Sequence, residues 1–501
     1  MSGKEPREPV VPDENSLVAE RLRKLKELKE AGINPYPYRY DVSHSLEAVR
    51  AEFTGLEPHT DTGKDVCVAG RIMTMRKMGK ASFMTLYENG VKLQVYVRED
   101  EVGADAYSLL KKLDLGDFVG VKGAVFTTKT GELSVRTKSF ELLTKTIRPL
   151  PEKYHGLKDP ELRYRQRYLD LVMNPETRQG FIIRQQLIDA FREFFVQKGF
   201  FEAQTPILQP VYGGGAARPF TTFHNTLKTT MYLRISNELY LKRLIMGGFT
   251  GVFEFSTDFR NEGVDKTHNP EFTQVEAYWA YKDYTDMMSL VEEIIEFAAM
   301  KIHGTTKLPF QGNVIDVKAP WKRLRMKDAL KEFAQIDFDE SKLDEYIKKY
   351  SLNIAGISSP GKVMQALFEE LCEDNLVQPI HIIDHPVEST PLCKEKRDGE
   401  KGIIERFESY INTWEIANAY SELNDPIRQR ELFEQQVKEK EEGDDEAHPM
   451  DEAFITAMEY GMPPTGGVGL GVDRLAMVFA NVPSIRDVLL FPLLKNATDE
   501  E

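Results

Sequence analysis

Five short stretches in the first third of the chain alternate apolar and polar residues, and this alternation is the feature that most constrains the fold. The stretches are VCVAGRIM, SFMTLYEN, KLQVYVRE, DFVGVKGAVF and ELSVRTKSFELL, and glycines or polar residues separate them. Alternation with a period of two is typical of strands that bury one face. Five such strands between residues 65 and 143 predict a small closed or half-closed β-barrel.

The first half of the predicted barrel is basic, although the chain as a whole is acidic. Between Lys64 and Arg98 there are seven basic and two acidic residues, whereas the whole chain has a formal net charge of −15. Three aromatic residues, Phe83, Tyr87 and Tyr96, lie within this stretch. Exposed rings among basic residues suit the stacking of single-stranded bases. Rings that fill the barrel interior are the alternative, and the sequence leaves both open.

A different pattern begins near Pro175 and continues to the end of the chain. An amphipathic helix is predicted from Phe181 to Gln197, and strand-like stretches follow near residues 229–235, 251–262 and 271–281. Helical and strand-like patterns that are not arranged in regular alternation favour an α+β fold. We therefore predict an α+β protein in which a small barrel, of the kind seen in OB-folds, precedes a larger mixed domain.

Changes in composition divide the chain into five segments. The predicted boundaries give a flexible tail at 1–15, an N-terminal helical segment at 16–64, the barrel at 65–145, a polar linker at 146–174 and a large domain at 175–501 that includes a charged helical insertion at about 325–375. Two to four domains are also what 501 residues imply, at roughly 100–200 residues per domain.

Composition excludes several classes of protein. No apolar run approaches the ~18 residues that cross a bilayer, and the polar first 15 residues show no secretory signal. The three cysteines, Cys67, Cys372 and Cys393, lie far apart and form no CxxC pair, so neither a disulfide framework nor a cysteine-rich zinc site is expected. A soluble cytoplasmic protein is the expectation.

Common catalytic and nucleotide-binding motifs are missing from the sequence. It contains no G-x-x-x-x-G-K-[ST], no G-x-G-x-x-G after a strand, no H-E-x-x-H and no G-x-S-x-G. Kinase, dinucleotide-binding and zinc-protease functions are therefore not supported.

Polar residues recur on one face of three predicted strands in the second half of the chain. Strand alternation places them in three groups, which are Arg260 with Glu262, Phe272 with Glu276 and Tyr278, and Asn418 with Tyr420 and Glu422. An arginine for phosphate, a ring for a base and several carboxylates would suit a nucleotide–metal site. A surface salt bridge explains any one of these residues, but three strands with the same feature favour a site.

Three longer motifs give the chain a resemblance to a known family. KGFFEAQTPILQP (198–210), FRNEGVDKTHNPEFTQVEAY (259–278) and GGVGLGVDRLAMVF (466–479) resemble motifs 1, 2 and 3 of the class II aminoacyl-tRNA synthetases, in the same order. GGGAARPF (213–220), SNELYLK (236–242) and WEIANAYSELNDPIRQR (414–430) resemble the lysyl-specific group of subclass IIb. The resemblance covers roughly residues 17–495, and it implies an antiparallel catalytic sheet behind an anticodon-binding OB-fold.

The resemblance implies roles for residues that would bind ATP. Arg260 would hold the α-phosphate and the substrate carboxylate, Arg474 the γ-phosphate, and Glu262 the adenine amino group; these three are the predicted catalytic residues. The complete predicted ATP set is Arg260, Asn261, Glu262, His268, Asn269, Phe272, Glu415, Ile416, Gly471 and Arg474. Glu415 and Glu422 would bind Mg²⁺, with up to three ions per subunit. The two have opposite strand parity, so a shared site requires a bulge or twist.

The resemblance also implies an amino-acid pocket and a tRNA surface. The predicted lysine-binding residues are Gly214, Glu238, Arg260, Glu276, Tyr278, Asn418, Tyr420 and Glu422. Several carboxylates can accept from the two ammonium groups of lysine and would repel an aspartate side chain. For Glu238, a first-turn carboxylate that complements a helix dipole is the alternative. In the barrel, Arg71, Phe83 and Gln94 are the predicted anticodon-binding residues.

The implied activity is that of a lysine–tRNA ligase. It would join L-lysine and ATP into lysyl-adenylate and pyrophosphate, and would then transfer the lysyl group to the 3′-terminal adenosine of tRNA(Lys). A homodimer through motif 1 is expected. Three alternatives stay open, which are an aspartyl- or asparaginyl-tRNA synthetase, a relative that lysylates a protein, and a non-catalytic synthetase-like tRNA-binding protein.

Overall fold

The structure, a computed structural model, describes residues 14–151, 157–354, 358–442 and 447–495. The predicted flexible tail lies outside the described residues, apart from positions 14 and 15. The chain divides into two compact units, Met1–Pro175 and Glu176–Glu501.

The first unit is built around a five-stranded closed barrel. Its strands are β1 (Asp61–Met78), β2 (Ala81–Glu88), β3 (Val91–Arg98), β4 (Phe118–Thr127) and β5 (Leu133–Thr144). Its helices are α1 (Glu14–Glu30), α2 (Leu46–Glu52), α3 (Glu99–Val102), α4 (Ala104–Leu109), α5 (Pro160–Arg165) and α6 (Arg167–Met173). The strand order is β1-β2-β3-β5-β4, and β4 pairs back onto β1. The predicted OB-type barrel is confirmed.

Strand alternation sorts the barrel side chains between the inside and the outside. Met84 and Leu86 on β2, and Leu93 and Val95 on β3, are fully buried and belong to one apolar core. Residues at the intervening positions of the same strands face outward and are partly exposed. The barrel interior is therefore filled by aliphatic side chains.

The second unit contains one large sheet of eight strands. The elements up to the insertion are α7 (Thr177–Gln197), β6 (Phe201–Glu202), β7 (Leu208–Gln209), β8 (Thr221–His224), β9 (Thr229–Leu233), α8 (Glu238–Met246), β10 (Gly251–Phe259), β11 (Glu271–Ala280), α9 (Tyr284–His303), β12 (Lys307–Phe310), β13 (Asn313–Asp316) and β14 (Lys322–Arg325). The remainder are α10 (Met326–Ala334), α11 (Leu343–Tyr350), α12 (Pro360–Leu371), β15 (Ile380–Pro386), β16 (Ile403–Ile411), β17 (Trp414–Ser421), α13 (Pro426–Glu441), α14 (Glu452–Glu459), β18 (Thr465–Gly471) and α15 (Val472–Ala480).

The sheet order is β14-β15-β16-β17-β18-β11-β10-β6, and every pairing is antiparallel except those of the two edge strands. One face carries apolar residues, including Phe253, Val275, Ala419 and Leu470, which pack with α7, α9 and α15 in the main core. Because side chains alternate along each strand, the polar residues lie on the opposite face. Helices α10, α11 and α12 pack with Ile380, Ile382 and Tyr410 of the sheet in a second apolar core.

One predicted strand is shorter than the sequence suggested. The stretch FEFSTDFRNE reads as one strand that includes Arg260 and Glu262, but β10 ends at Phe259. The Arg260 amide donates to the carbonyl of Pro270, at a distance of 2.9 Å. Pro270 has no amide hydrogen to donate in return, so the ladder ends there. The prediction that strand alternation places Arg260 and Glu262 on one face is therefore wrong, because both lie in the loop that follows.

Candidate active site

The polar face of the sheet is formed by residues that the strand register brings together. Asp258 lies opposite Phe272, and Glu276 lies opposite Gly469, which in turn lies opposite Asn418. Two residues further along each strand, Tyr278, Gly467 and Tyr420 form a similar row. Two of the three groups of polar residues predicted from the sequence thus meet at β11 and β17, with β18 between them, whereas Arg260 and Glu262 lie in the loop that follows β10.

The glycines of β18 make room for the side chains of this face. A Cβ atom on Gly467 would overlap the Glu422 carboxylate and would lie 2.6 Å from the Tyr278 ring. Any larger residue at Gly467 would therefore displace two of the predicted pocket residues. Gly214 plays a similar role in the loop above, since it has φ +86° and a Cβ there would lie 2.7 Å from the Ser236 hydroxyl.

An acidic pocket lies at one end of the polar face, and its side chains come from three separate elements. Glu238 begins α8, Tyr420 is on β17, and Glu422 directly follows that strand. The Tyr420 hydroxyl donates to the Glu238 carboxylate at 2.7 and 2.8 Å. Lys242, one turn further along α8, forms ion pairs with both Glu238 and Glu422. All four side chains are buried.

Glu276 forms the floor of the same pocket. Its carboxylate accepts hydrogen bonds from Ser236 Oγ at 2.8 Å, Gln274 Nε2 at 2.6 Å and the Tyr278 hydroxyl at 2.8 Å. Burial, and then the nearby carboxylates of Asp258 and Glu238, raise the pKa of Glu276 to about 8. These surroundings therefore favour the protonated form of Glu276 at neutral pH.

Arg260 lies at the opposite end of the pocket from Lys242. Its guanidinium covers the Phe272 ring at 5.1 Å, and a Cβ on Gly215 would lie 3.9 Å from its Nη2 atom. Burial raises the pKa of Asp258 to about 6, although Arg234 and Arg260 act in the opposite direction. The Arg260 Nε atom is buried and has no hydrogen-bond partner. A planar guanidinium with an unused donor suits a bound carboxylate or phosphate.

Arg474 is held by β17 and by the loop that follows β10. Its Nη1 donates to the Glu415 carbonyl at 2.6 Å, and its Nη2 donates to His268 Nε2 at 3.0 Å. His268 Nδ1 in turn contacts the Asp265 carboxylate at 2.8 Å. Although partial burial opposes it, hydrogen bonding by Thr267 and His268 lowers the pKa of Asp265 to about 2. These contacts hold the Arg474 and His268 side chains next to each other.

Helix α15 itself is fixed by a neighbour of Arg474. The Asp473 carboxylate accepts from Arg184 at 2.8 and 3.0 Å and from the Thr273 amide at 2.7 Å. Asp473 thereby links α15 to α7 and β11, and these contacts fix the backbone position from which the Arg474 side chain extends.

A β-bulge turns Glu415 onto the polar face. The register between β16 and β17 shifts so that Ser409 lies opposite Ala417 but Tyr410 lies opposite Glu415. Ile416 is the extra residue, and its side chain is buried in the main core. The bulge that the opposite parity of Glu415 and Glu422 required is therefore present.

The structure places the two predicted metal ligands in different surroundings. Glu422 is held by Lys242 in the acidic pocket, whereas Glu415 lies beside Glu408, Arg406 and Arg474. Desolvation by surrounding protein atoms and then the Glu408 carboxylate raise the pKa of Glu415, although 41% of its side chain is exposed. Two carboxylates that repel each other fit a divalent cation, because hard oxygen ligands would then share its charge. Within the described ranges, no group of three or more His, Cys, Asp or Glu side chains is arranged around a common metal position.

Glu408 was missed by the sequence reasoning. It accepts from Arg406 and, at 2.7 Å, from the Tyr410 hydroxyl, while Arg406 Nε donates to Asn418 Oδ1 at 3.0 Å. The sequence does contain a pattern that points to Glu408. In ERFESYI, Arg406, Glu408 and Tyr410 alternate with apolar or small residues, and this stretch directly precedes the strand that carries Asn418 and Tyr420. Its link to Glu415 depends on the bulge, which the sequence does not show.

The remaining predicted ATP residues lie at the rim of the site. Asn261 and Glu262 are exposed in the loop after β10, and Asn269 donates to the Glu271 carbonyl at 2.6 Å. Gly471 precedes the first residue of α15, and a Cβ on it would lie 4.0 Å from the Cβ of Arg474.

The predicted barrel residues fall into two places on the first unit. The Phe83 and Tyr96 rings stack at 4.5 Å on the outside of the barrel, and Gln94 lies beside them on β3. The alternative in which these two rings fill the barrel is therefore wrong, because aliphatic residues occupy the interior. Tyr87 is buried and donates to the Leu171 carbonyl at 3.2 Å.

Arg71 does not join Phe83 and Gln94. Its guanidinium lies 4.3 Å from the Phe118 ring centroid and donates to the Gly116 carbonyl at 3.2 Å, at the edge of a cavity of about 280 Å³ that Val172 also lines. Two other arginines lie nearer the rings: Arg76 is in register with Phe83, and Arg136 with Tyr96. The sequence offered seven basic residues in this stretch and no means of choosing among them.

Comparison with known proteins agrees with both units. The family model described as tRNA synthetases class II (D, K and N) matches residues 159–495, and the OB-fold nucleic acid binding domain matches residues 66–143. A protein of Clostridium perfringens (strain ATCC 13124) named lysine–tRNA ligase is 51% identical over 95% of this chain and 95% of its own length. Proteins of the same name from Clostridium novyi and Moorella thermoacetica are each 49% identical over 96% of this chain, and over 95% and 98% of their own lengths. Among the described residues, no helix is both long and apolar enough to cross a membrane.

Proposed function

The chain belongs to the class II tRNA synthetases of the D, K and N group, and we propose that it is a lysine–tRNA ligase that uses ATP to activate L-lysine. The observation that carries the specificity is the acidic pocket, where Glu238, Glu276 and Glu422 converge below Arg260. The relatives named lysine–tRNA ligase support the same substrate.

The pocket suits an amino acid with two ammonium groups and one carboxylate. The side-chain oxygens of Glu238, Glu276 and Glu422 offer acceptors for both ammonium groups, and Arg260 offers donors for the carboxylate. An aspartate side chain would need a cationic partner, but Lys242 is already paired with two carboxylates. Gly214, Tyr278, Asn418 and Tyr420 complete the walls of the proposed lysine site.

The first reaction joins lysine to ATP. The lysine carboxylate oxygen attacks the α-phosphorus of ATP, a new P–O bond forms, and the bond to pyrophosphate breaks. Arg260 contacts the lysine carboxylate and the α-phosphate, so it stabilises the charge that develops there. Arg474, oriented by His268, holds the γ-phosphate. The Phe272 ring is proposed to stack on adenine, with Glu262 accepting from its amino group and Asn261, Asn269, Ile416 and Gly471 around the nucleotide.

Mg²⁺ is the proposed cofactor. Glu415 and Glu422 would hold it, with Glu408 beside Glu415, and the ion would supply positive charge to the phosphate oxygens. Glu422 also forms an ion pair with Lys242. The second reaction transfers the lysyl group to the 3′-terminal adenosine of tRNA(Lys), and AMP leaves.

The barrel is proposed as the anticodon-binding domain, within boundaries of about 65–145, ahead of a catalytic domain at 175–501. Phe83 and Tyr96 supply rings, Gln94 a base-reading amide, and Arg76 and Arg136 phosphate contacts. We assign the enzyme to the cytoplasm, where ATP and tRNA are used together.

We further propose a homodimer through the region that resembles motif 1. Phe201 and Ile207 in that region are exposed in the single chain, by 52% and 44%, and the half-exposed Phe249 ring packs against Phe201 at 4.8 Å. A patch of this kind is typical of a surface that pairs with a second copy. Sedimentation velocity of the wild type and of Phe201→Asp tests it, since a wild-type monomer at micromolar concentration would contradict the dimer.

The test of the proposed function is amino-acid-dependent ATP–pyrophosphate exchange. Lysine, aspartate and asparagine are offered separately with Mg²⁺ and without tRNA. Exchange with lysine alone is the expected result. Exchange with aspartate or asparagine would keep the reaction but overturn the assignment of the acidic pocket, and no exchange with any of them would point to a non-catalytic protein.

A further inference from the structure

Gln274 lies on the polar face of β11, between two residues that the proposed reaction uses. Phe272 and Glu276 are its neighbours on that face, because side chains on the same side of a strand are two positions apart. Gln274 is partly exposed, whereas Glu276 is buried. Gln274 was not among the residues predicted from the sequence, and the reaction described above assigns it no role.

The amide nitrogen of Gln274 is held by two carboxyl groups. Nε2 donates to Glu276 Oε1 at 2.6 Å, and the same side chain is hydrogen-bonded to the carboxylate of Asp258. Asp258 is itself fixed by an ion pair with Arg234 at 3.0 Å and by the Ser256 hydroxyl at 2.8 Å. An amide nitrogen carries two hydrogens, so these two partners use both of them and turn Oε1 away from the carboxyl groups.

The amide oxygen of Gln274 faces a part of β18 that has no side chains. Gln274 lies opposite Gly471 in the ladder, and a Cβ added to Gly469 would lie 3.9 Å from Oε1. Both of the hydrogen bonds described for Gln274 use its nitrogen. Because neither glycine has a side chain to cover the amide, Oε1 is an acceptor that a substrate can reach.

The place of Gln274 along the polar face indicates which substrate group it meets. Arg260, the proposed partner of the lysine carboxylate, lies over the Phe272 ring at 5.1 Å. Glu238 lies at the other end of the pocket, where it accepts from the Tyr420 hydroxyl at 2.7 Å. The α-carbon of lysine carries both the carboxylate and the α-ammonium group, and a chain of methylene groups separates it from the ε-ammonium group. A lysine that extends from Arg260 to Glu238 therefore brings its α-ammonium group to the level of Gln274.

We propose that Gln274 is a specificity-determining residue of the amino-acid pocket, and that its amide oxygen accepts a hydrogen bond from the α-ammonium group of the lysine substrate. The proposal rests on the proposed function, since it takes lysine as the substrate. Asp258 and Glu276 contribute by fixing which end of the amide faces the substrate. The ribose hydroxyls of ATP are the other donors near this level, and the experiment separates the two.

The experiment compares the wild type with Gln274→Met in lysine-dependent pyrophosphate exchange by the full chain. Methionine keeps the length of the side chain and removes the amide oxygen. The competitive inhibitor is ε-aminocaproate, which is lysine without its α-ammonium group. We expect KM for lysine to rise at least about tenfold, since a hydrogen bond to a charged group is lost. The inhibition constant of ε-aminocaproate and KM for ATP are expected to stay within about twofold.

Gln435→Met is the matched control. Gln435 also donates to a glutamate, Glu439, at 3.0 Å, but it is exposed on α13. Its replacement is expected to leave all three constants unchanged.

Gly469→Ala tests the same contact from the opposite strand. Its methyl group would occupy the space 3.9 Å from Gln274 Oε1, where the α-ammonium group is proposed to lie. We expect it to raise KM for lysine more than the inhibition constant of ε-aminocaproate.

Three outcomes would overturn the proposal while leaving the proposed function intact, because the wild type would still exchange with lysine alone. The first is an unchanged lysine KM in Gln274→Met. The second is an equal rise in lysine KM and in the inhibition constant of ε-aminocaproate, which would show general damage to the pocket. The third is a rise in ATP KM as large as that in lysine KM, which would assign the amide oxygen to a ribose hydroxyl. If Gln274→Met does not fold, Gly469→Ala decides, since an unchanged ratio of the ε-aminocaproate constant to lysine KM would contradict the proposal.

Discussion

Each of the two units buries a lysine between two carboxylates, but the carboxylates of the two clusters differ in how many further hydrogen bonds they accept. In the barrel unit, Lys145 pairs with Asp114 and Asp117, and Asp117 also accepts from the amide and hydroxyl of Thr146 at 2.8 and 2.7 Å. Lys24 contacts the second oxygen of Asp114 at 2.6 Å. In the larger unit, Lys242 pairs with Glu238 and Glu422. The Tyr420 hydroxyl also donates to Glu238.

Unpaired atoms mark the difference between the two clusters. In the part of the first unit that the structure describes, Thr137 Oγ1 is the one buried side-chain polar atom without a hydrogen bond. Around the acidic pocket, both amide atoms of Asn237 and the Nε atom of Arg260 are buried and unpaired, and Glu422 Oε2 has its ion pair but no well-directed hydrogen bond. Buried polar groups are normally satisfied, so a saturated cluster indicates a structural role and an unsaturated one a place for a ligand.

Arg260→Ala is expected to have the largest effect, because it removes the unpaired donor at the reacting end of the pocket. We expect lysine-dependent pyrophosphate exchange to fall by at least about a thousandfold, while the protein binds tRNA as the wild type does. Exchange kinetics and a tRNA filter-binding assay measure the two quantities. Unaltered exchange would remove Arg260 from its role.

Lys145→Met tests the saturated cluster. Removing one partner of a buried ion pair leaves an uncompensated charge, and the expected loss is about 3 kcal/mol of local stability. Faster hydrogen exchange at the amides of β4 and β5, with unchanged exchange in β10 and β11, is the expected pattern. Slow exchange preserved in the barrel strands would show that the Lys145 cluster is not structural.

Glu276→Gln tests the raised pKa of Glu276 through the pH dependence of stability. Because the folded protein raises the pKa of Glu276 to about 8 from its usual 4.5, the folded state holds this proton more tightly than the unfolded state. The wild type therefore loses stability relative to Glu276→Gln as the pH rises from about 4.5 to 8, by up to a few kcal/mol at about 1.4 kcal/mol per pKa unit. Thermal unfolding of both proteins without lysine, at pH 5, 7 and 8.5, measures it. Parallel stability curves would contradict the raised pKa.

Phe83→Ala tests the outer face of the barrel. Loss of one base-stacking ring is expected to weaken tRNA binding by about tenfold, since stacking on a ring contributes ~1–3 kcal/mol. Tyr96 stays in place, so some stacking remains. KM for tRNA in the charging reaction should rise, and exchange without tRNA should be unchanged. An equal loss in both reactions would contradict the assignment of Phe83 to anticodon binding.

Arg71→Ala and Arg76→Ala test which arginine of the barrel contacts tRNA. Of the predicted effects, the change in KM for tRNA is the smallest here. Arg76 lies in register with Phe83, whereas Arg71 stacks on Phe118 elsewhere on the barrel. We expect Arg76→Ala to raise KM for tRNA by about threefold and to reduce its salt dependence. Arg71→Ala should change KM for tRNA less. The reverse order would restore Arg71 as the anticodon residue.

Local pattern in the sequence determined much of this protein. Alternation with a period of two is a property of a few consecutive residues, so it predicted the five barrel strands and the polar faces of β11 and β17. The motif glycines and arginines also indicated where the site lies, since Gly467, Arg260 and Arg474 all border it. These features need no knowledge of which strand pairs with which.

Only the tertiary structure decided the contacts that join distant parts of the chain. Lys242 meets Glu422 across 180 residues, Glu408 meets Glu415 only because a bulge shifts the register at Ile416, and Arg76 rather than Arg71 faces Phe83. Strand pairing and helix placement set each of these, and they follow from the packing of whole elements. A single sequence carries no local signal for such pairings, because the energy of a buried ion pair depends on where both partners finally lie.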